Sequence, residues 1–361
     1  MRFRGISIWL TALALLVLAA AWQSRRLADY RRNNLPEAYT GSASDAPPAL
    51  TFVMAGLGGF RGVTAEILWF RISRLQEQQR FIELVQLSNW LTMLDPHAAE
   101  AWAYNAWNLA YNVSVMMGRP EDRLRWVENG ISLLRDDGLR FNPREATLYR
   151  ELAWIYQNKV SDMLDNAHLT YKFHLAESLA PCVNPNGTVL LTPESRARLA
   201  AMRLDADRMA ALEKRFGPLD WRLATSHAVY WASQGLEHAT GNERLLSSRA
   251  VYQPLMLSVF EGRFSGDLAA RQWQTAPNPS IALPAAEFMG TVYQEFPTRT
   301  MKTVYAGFLT VAIRDLHQTG HLIPAHLLYR RLLPVLPQNK RQPTFEEIVA
   351  GTYDRSEATR D

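Results

Sequence analysis

Apolar positions recur every three to four residues through most of this chain, the spacing of helices with one face turned inward. Ile67, Leu68, Phe70, Ile72 and Leu75 predict one helix, and Phe81, Leu84, Val85, Leu87, Leu91 and Leu94 predict its partner. Asp95-Pro96 breaks that run and opens a helix to about Met116. Gly118-Arg119-Pro120-Glu121-Asp122 is a stop followed by a start, with acid in the first turn, and Leu124, Val127, Ile131 and Leu134 then line one face,. Asn142-Pro143 starts the next helix, and Asp165 caps another that carries Ala167, Tyr171 and Leu175. Residues 181–192 read as a loop, and Pro193-Glu194 opens a long helix to about Phe216. Helices near 221–238 and 246–261, a Pro/Asn-rich break at 276–284, and a last pair near 298–318 and 322–336 complete the pattern. No stretch alternates with period two long enough to predict a sheet. The predicted fold class is all-α.

Three of these helices share a spacing. Pro96 is followed at six, ten and thirteen residues by Trp102, Ala106 and Leu109. Pro143 is followed at six, nine, ten and thirteen by Tyr149, Leu152, Ala153 and Tyr156, and Pro218 at ten and thirteen by Ala228 and Trp231. A proline that starts a helix, a ring one turn in, and a small residue where the next helix crosses describe a repeated helical hairpin. Small residues let two rods approach closely, and rings fill the space beside them.

These residues resemble the tetratricopeptide repeat. Tyr149, Leu152, Ala153 and Tyr156 match its first-helix signature, with Ala in place of the usual Gly; Gly320, Ala325, Tyr329 and Pro337 match its second-helix half. The match is partial. The first two prolines stand 47 residues apart where the family repeats at ~34, and Pro218 has Ala224 at the ring position. The run from Gly58 to Val115 is also similar to bacterial membrane proteins that carry such repeats. The resemblance implies an antiparallel helix-hairpin superhelix that binds a protein or peptide on its concave face. That face would be lined by first helices, with Asn105, Asn108 and Asn112 on one and Glu151 and Asn158 on the next. Such side chains hydrogen-bond a peptide backbone; the plainer reading makes them ordinary solvent-facing polar positions.

The N-terminus departs from the body. Gly5 to Trp22 is an uncharged, mostly apolar run of 18 residues flanked by arginine, long enough as a helix to cross about 27 Å of bilayer. Residues 1–32 are therefore expected to be a membrane anchor with basic flanks; cleavage after Ala19-Ala20-Ala21 is the alternative,. A bare count of flanking arginines favours a cytoplasmic body, whereas a short N-tail stays inside and sends the body across. The expected location is a single-pass protein of a bacterial inner membrane with an extracytoplasmic body. Residues 33–49 read as a linker. Leu50 to Phe60 is apolar and glycine-rich, and Gly56, Gly58, Gly59 and Gly62 have neither the preceding strand nor the Lys-Ser/Thr of a phosphate loop,. The body divides into helical segments at 50–180 and 194–340, separated by the loop 181–193, and 341–361 forms a tail.

Charge narrows the function classes. The net charge is +4, yet residues 1–32 alone carry +5. The remaining body is nearly neutral and lacks the field that phosphate backbones require, which excludes nucleic acid. The single Cys182 excludes an intrachain disulfide and any Cys-rich metal site,. His317, His321 and His326 lie close, but Gly320 breaks the shared face, and Asp165 with His168 reads as a cap and its neighbour. No serine sits in a nucleophile elbow. The chain is expected to need no cofactor or metal and to act as a membrane-anchored scaffold that organises a protein partner. The rival is an α/α-toroid carbohydrate-active enzyme of the cell envelope, which would need paired carboxylates by a ring-lined cleft. Glu100, Glu151 and Asp220 stand near aromatic positions, although each also suits a helix N-terminus,.

Overall fold

The computed structural model describes residues 61–353, together with 19, 21–23, 25 and 26. The expected anchor is otherwise outside the described residues, as are the linker, Leu50–Phe60 and the end of the tail. Among the described residues, no helix is long and apolar enough to cross a membrane.

The chain is mostly helical. In chain order, α1 is Arg61–Glu77 and α2 Phe81–Leu94; α3 runs Ala99–Trp107, widens to π geometry over Asn108–Val113 and ends as Ser114–Met116. Helix α4 runs Pro120–Ser132, then π geometry over Leu133–Gly138, then Leu139–Phe141; α5 is Ala146–Trp154 continued by a π segment, Ile155–Val160. Next come α6 (His168–Leu179), α7 (Pro193–Ala201), α8 (Ala206–Phe216), α9 (Ala224–His238) and α10 (Gly241–Glu261). A two-stranded antiparallel hairpin, β1 (Arg263–Phe264) and β2 (Thr275–Ala276), leads to α11 (Ala282–Glu295), α12 (Arg299–Gln318), α13 (Leu322–Leu332) and α14 (Phe345–Ala350). Packing groups these into two compact units. The first runs up to Gly118 and includes Arg125–Leu148; the second takes Arg119–Leu124 and everything from Tyr149.

In the first unit, α1 and α2 form a hairpin around Ile72, Leu75, Leu84 and Leu91, with Ala101 of α3 closing the cluster. The proline-led start differs from the expectation. Pro96 precedes the helix, which begins at Ala99, because its carbonyl is used elsewhere: it accepts from the Trp102 indole at 2.9 Å and from the Asn142 amide at 2.8 Å. The ring six residues on is thus tied to its own proline, and it stacks on Phe141 with centroids 5.9 Å apart. Ala106 and Ala110 of α3 are fully buried where α4 crosses them at Gly130. A Cβ there would stand 2.8 Å from the Ala106 carbonyl oxygen and 3.3 Å from the Ala110 methyl.

In the second unit, rings interlock between α5 and α9. Tyr156 stacks on His227 at 5.1 Å and Tyr149 on Trp231 at 6.5 Å, while Ala153 and Ala228 are buried beside them. The loop at 181–193, expected to separate two segments, lies inside this unit. Ser195 donates to the Cys182 carbonyl at 3.2 Å, and the Trp221 amide donates to Gly187 O at 3.0 Å. Gly187 has φ 86°, and Asp220 packs so closely that a Cβ would fall 2.2 Å from its Cγ.

Two further expectations change. The long helix from Pro193 is two helices, because Asp205 caps α8 by accepting from the amides of Asp207 and Arg208, and Arg203 turns through φ 60°,. The stretch 276–284 is a break only at its start, since α11 follows at once with Pro284 in its first turn, where proline is tolerated,.

Replacing Gly130 by Ala should destabilise the first unit by about 2 kcal/mol, because the added methyl meets backbone that cannot move aside. Urea unfolding followed by circular dichroism would show a lowered midpoint with an unchanged slope.

Candidate functional site

The asparagine row on α3 is not an open binding surface. Asn105 and Asn108 are fully buried. The Asn105 amide donates to Asn89 Oδ1 of α2 at 2.7 Å, and its own Oδ1 has no partner among the described residues. Asn108 donates back to the Tyr104 carbonyl at 2.9 Å, and half-buried Asn112 donates to Asn108 Oδ1 at 2.6 Å. Two of the three side chains are thus spent inside the fold, where a buried amide has to find partners. Asn112 remains at the margin.

On α5 the expected pair lies on one partly exposed face. Glu151 and Asn158 are both half-buried, seven positions apart, with Trp154 between them at 44% exposure,. Asn158 donates to the Trp154 carbonyl at 3.2 Å. Burial raises the Glu151 carboxyl above its ordinary range, and the neighbouring Arg150 offsets only part of that. Arg150 itself is ion-paired to Glu243 of α10. The face therefore presents an acid short of counter-charge, an indole and an amide.

Trp154 was not among the expected site residues, nor was Trp107 of α3, which is 37% exposed and stacks on Tyr111 at 5.7 Å. The two indoles share a position. Trp107 is eleven residues after Pro96, and Trp154 eleven after Pro143. Each closes the α-helical part of its rod, and a six-residue π segment follows both, at 108–113 and 155–160. The signal was available in the spacing, but positions six, nine, ten and thirteen describe the buried side and pass over it.

Other charged groups in the second unit hold structure. Asp165 is buried and accepts from Lys159 Nζ at 2.5 Å, Arg123 Nη1 at 3.0 Å, the Ala167 amide at 2.9 Å and Tyr171 Oη at 3.0 Å. Burial pushes its carboxyl up, but the bonds from Lys159, Ala167 and Tyr171, with the Lys159 charge, prevail and hold it at about 2,. Tyr171 is raised by burial and by Asp165. Asp220 is also committed: it accepts from Arg222 Nε at 2.9 Å, Arg222 Nη2 at 2.7 Å and the Phe264 amide at 2.9 Å. It is not placed as a free acid or base. Glu100 stays on the first turn of α3.

The histidines are held by rings. His326 stacks on Phe345 at 3.8 Å and His317 meets the same ring edge-on at 5.8 Å, while His321 Nδ1 lies 3.1 Å from Thr319 Oγ1. Among the described residues, no three His, Cys, Asp or Glu converge as metal ligands. His227 is fully buried, with Nε2 2.9 Å from the Trp221 carbonyl. A carbonyl accepts only, so Nε2 carries the proton; Nδ1 is bare and has no partner among the described residues,. Burial lowers this imidazole to about 4, with the Trp221 bond opposing.

Comparison with protein-family models, with curated proteins and with solved structures gives no match.

The His227 shift sets a pH dependence. The unfolded imidazole, at about 6.5, binds its proton before the folded one. Stability is thus complete above that value and falls as pH drops toward 4, by roughly 3 kcal/mol in all. The Asp165 contribution is lost only lower, between about 3.8 and 2,. Urea midpoints taken from pH 7 to pH 4.5 should decline, and the decline should be much shallower in His227→Gln; equal slopes would refute the assignment. Burial lowers His168 as well, and the variant separates its share.

Proposed function

We propose that this chain is a membrane-tethered, tetratricopeptide-like scaffold that binds protein through exposed indole faces, that of α5 in the second unit and, by itself, that of α3 in the first, without chemistry of its own. The observation that carries this reading is the repeated outward indole. Trp107 and Trp154 take the same place after their prolines, each exposed and each at the start of a π segment. Tryptophan is costly to leave in water and is enriched among residues that dominate protein interfaces. π segments are rare and concentrate at functional positions. A position that recurs at the same offset in two rods, and points out of both, is accounted for by a shared binding role more readily than by two accidents of packing.

The face on α5 also suggests what a partner offers. Among the described residues Glu151 has no ion-pair partner of its own, and an indole beside it attracts a cation over its ring. A lysine or arginine side chain on the partner satisfies both, while Asn158 remains for a backbone group. The tether is supported by the apolar run Gly5–Trp22 and its flanking arginines,. The repeat is supported by the buried alanines at the helix crossings, Ala106, Ala153, Ala228 and Ala325.

The test is recovery of a partner from detergent-solubilised membranes with the full chain as bait. Trp154→Ala should weaken retention of that partner roughly 30-fold, as truncating an interface hot spot of about 2 kcal/mol does. Glu151→Gln should weaken it less and reduce its sensitivity to salt. Both positions are partly exposed, so the urea midpoint should barely change. Unaltered retention in both variants would defeat the proposal.

A further inference from the structure

Helix α1 carries an apolar stripe on its outer side. Val63, Ile67 and Phe70 follow at helical spacing and are 56%, 62% and 68% exposed,. The opposite side of the helix is already committed, with Ile72 and Leu75 buried against α2 and Leu68 and Trp69 packed beside them. Arg71 is exposed on one edge of the stripe, and Arg74 is exposed on its line one turn past Phe70, with its guanidinium 5.8 Å from the Phe70 ring centroid. Glu66 and Glu77 are exposed on the other edge.

We propose that this stripe lies in the surface of the membrane that holds the N-terminal segment, with Val63, Ile67 and Phe70 below the headgroups and Arg71 and Arg74 among the phosphates. The proposal rests on the tethered reading given above. Chain continuity favours lipid over other occupants. The stripe occupies the N-terminal part of α1, the end that faces the tether along the chain, and 38 residues separate Trp22 from Arg61. A flexible chain of that length would span about 35 Å on average, which keeps the helix within reach of the bilayer surface. Arginine that keeps its head in water above a ring that does not is the arrangement of an interfacial helix. The acidic edge limits attraction to anionic lipid, so insertion of the apolar side chains dominates. One such helix binds weakly alone and adds a second attachment to an anchored chain. Leu322, Ile323 and Leu327 of α13 are also exposed, but no membrane segment leads into them.

The full chain, reconstituted into phosphatidylcholine vesicles, tests this directly. Cys182 is buried, so a bimane probe can be placed selectively at Ile67→Cys or Phe70→Cys. The vesicles are first floated after an alkaline wash, which reads the tether. Brominated acyl chains should then quench the probe at both positions at least twofold relative to unbrominated lipid. Flotation without quenching would leave the tether standing and overturn the lipid contact. A blue-shifted, unquenched probe would also overturn it, by placing protein over the stripe, either a second copy or the Leu50–Phe60 stretch. Failure to float would remove both readings.

Discussion

Two helices can approach only as closely as the side chains between them allow, and in the first unit that limit is reached where Gly130 of α4 meets Ala106 and Ala110 of α3. Nothing larger than a hydrogen fits at that point. The rings cannot occupy the crossing and are displaced along the rods, where Trp102 lies flat on Phe141 and bonds back to Pro96. The carbonyl that receives it is consequently withdrawn from the helix, which starts three residues late. Small residues, displaced rings and the delayed start are one arrangement seen from three sides.

The second unit manages buried charge in a consistent way. Asp165 and Glu213 each accept a backbone amide from a turn or loop, Ala167 and Val189, and Asp220 accepts that of Phe264 in β1. Asp165 and Asp220 also take an arginine, and Glu213 takes the Trp221 indole at 2.6 Å. A carboxylate is the strongest acceptor available to a loop that has no ladder to bond with. These acids fasten turns, a loop and a strand in place, which is why acids near aromatic residues are here a poor guide to catalysis.

Much of the helical pattern could be read from the sequence, because proline, glycine and aspartate mark helix ends by mechanisms that act locally. The failures have local reasons too. The turn at Arg203 takes a left-handed conformation without glycine, although Asp205 was a readable cap. The β strands are two residues each, too short for any alternation to appear. The run 276–284 hid the start of α11 because its prolines resemble a loop. The asparagines of α3 read as groove-lining because the repeat pattern lines its concave face with first helices, whereas Asn105 finds an amide partner on another helix, and that depends on a neighbour 16 residues away. The α5 face was half legible: its acid, its amide and the recurring offset of its indole stand in the spacing, but the exposure of that indole does not, since it is decided by what the rest of the fold leaves uncovered.

The π segments bear on how these rods tolerate change. Their bonds close over five residues instead of four, so each contains slack that an ordinary turn lacks. Loss of one residue between Ile155 and Val160 is taken up by tightening that turn to α geometry. The rod on either side then keeps its phase, because an α turn closes with one residue fewer. Only the lining inside the segment changes, where Tyr156 sits against His227 and Lys159 against Asp165. The outer face that carries Glu151 and Trp154 is in this sense insulated from the inner lining by a single surplus position.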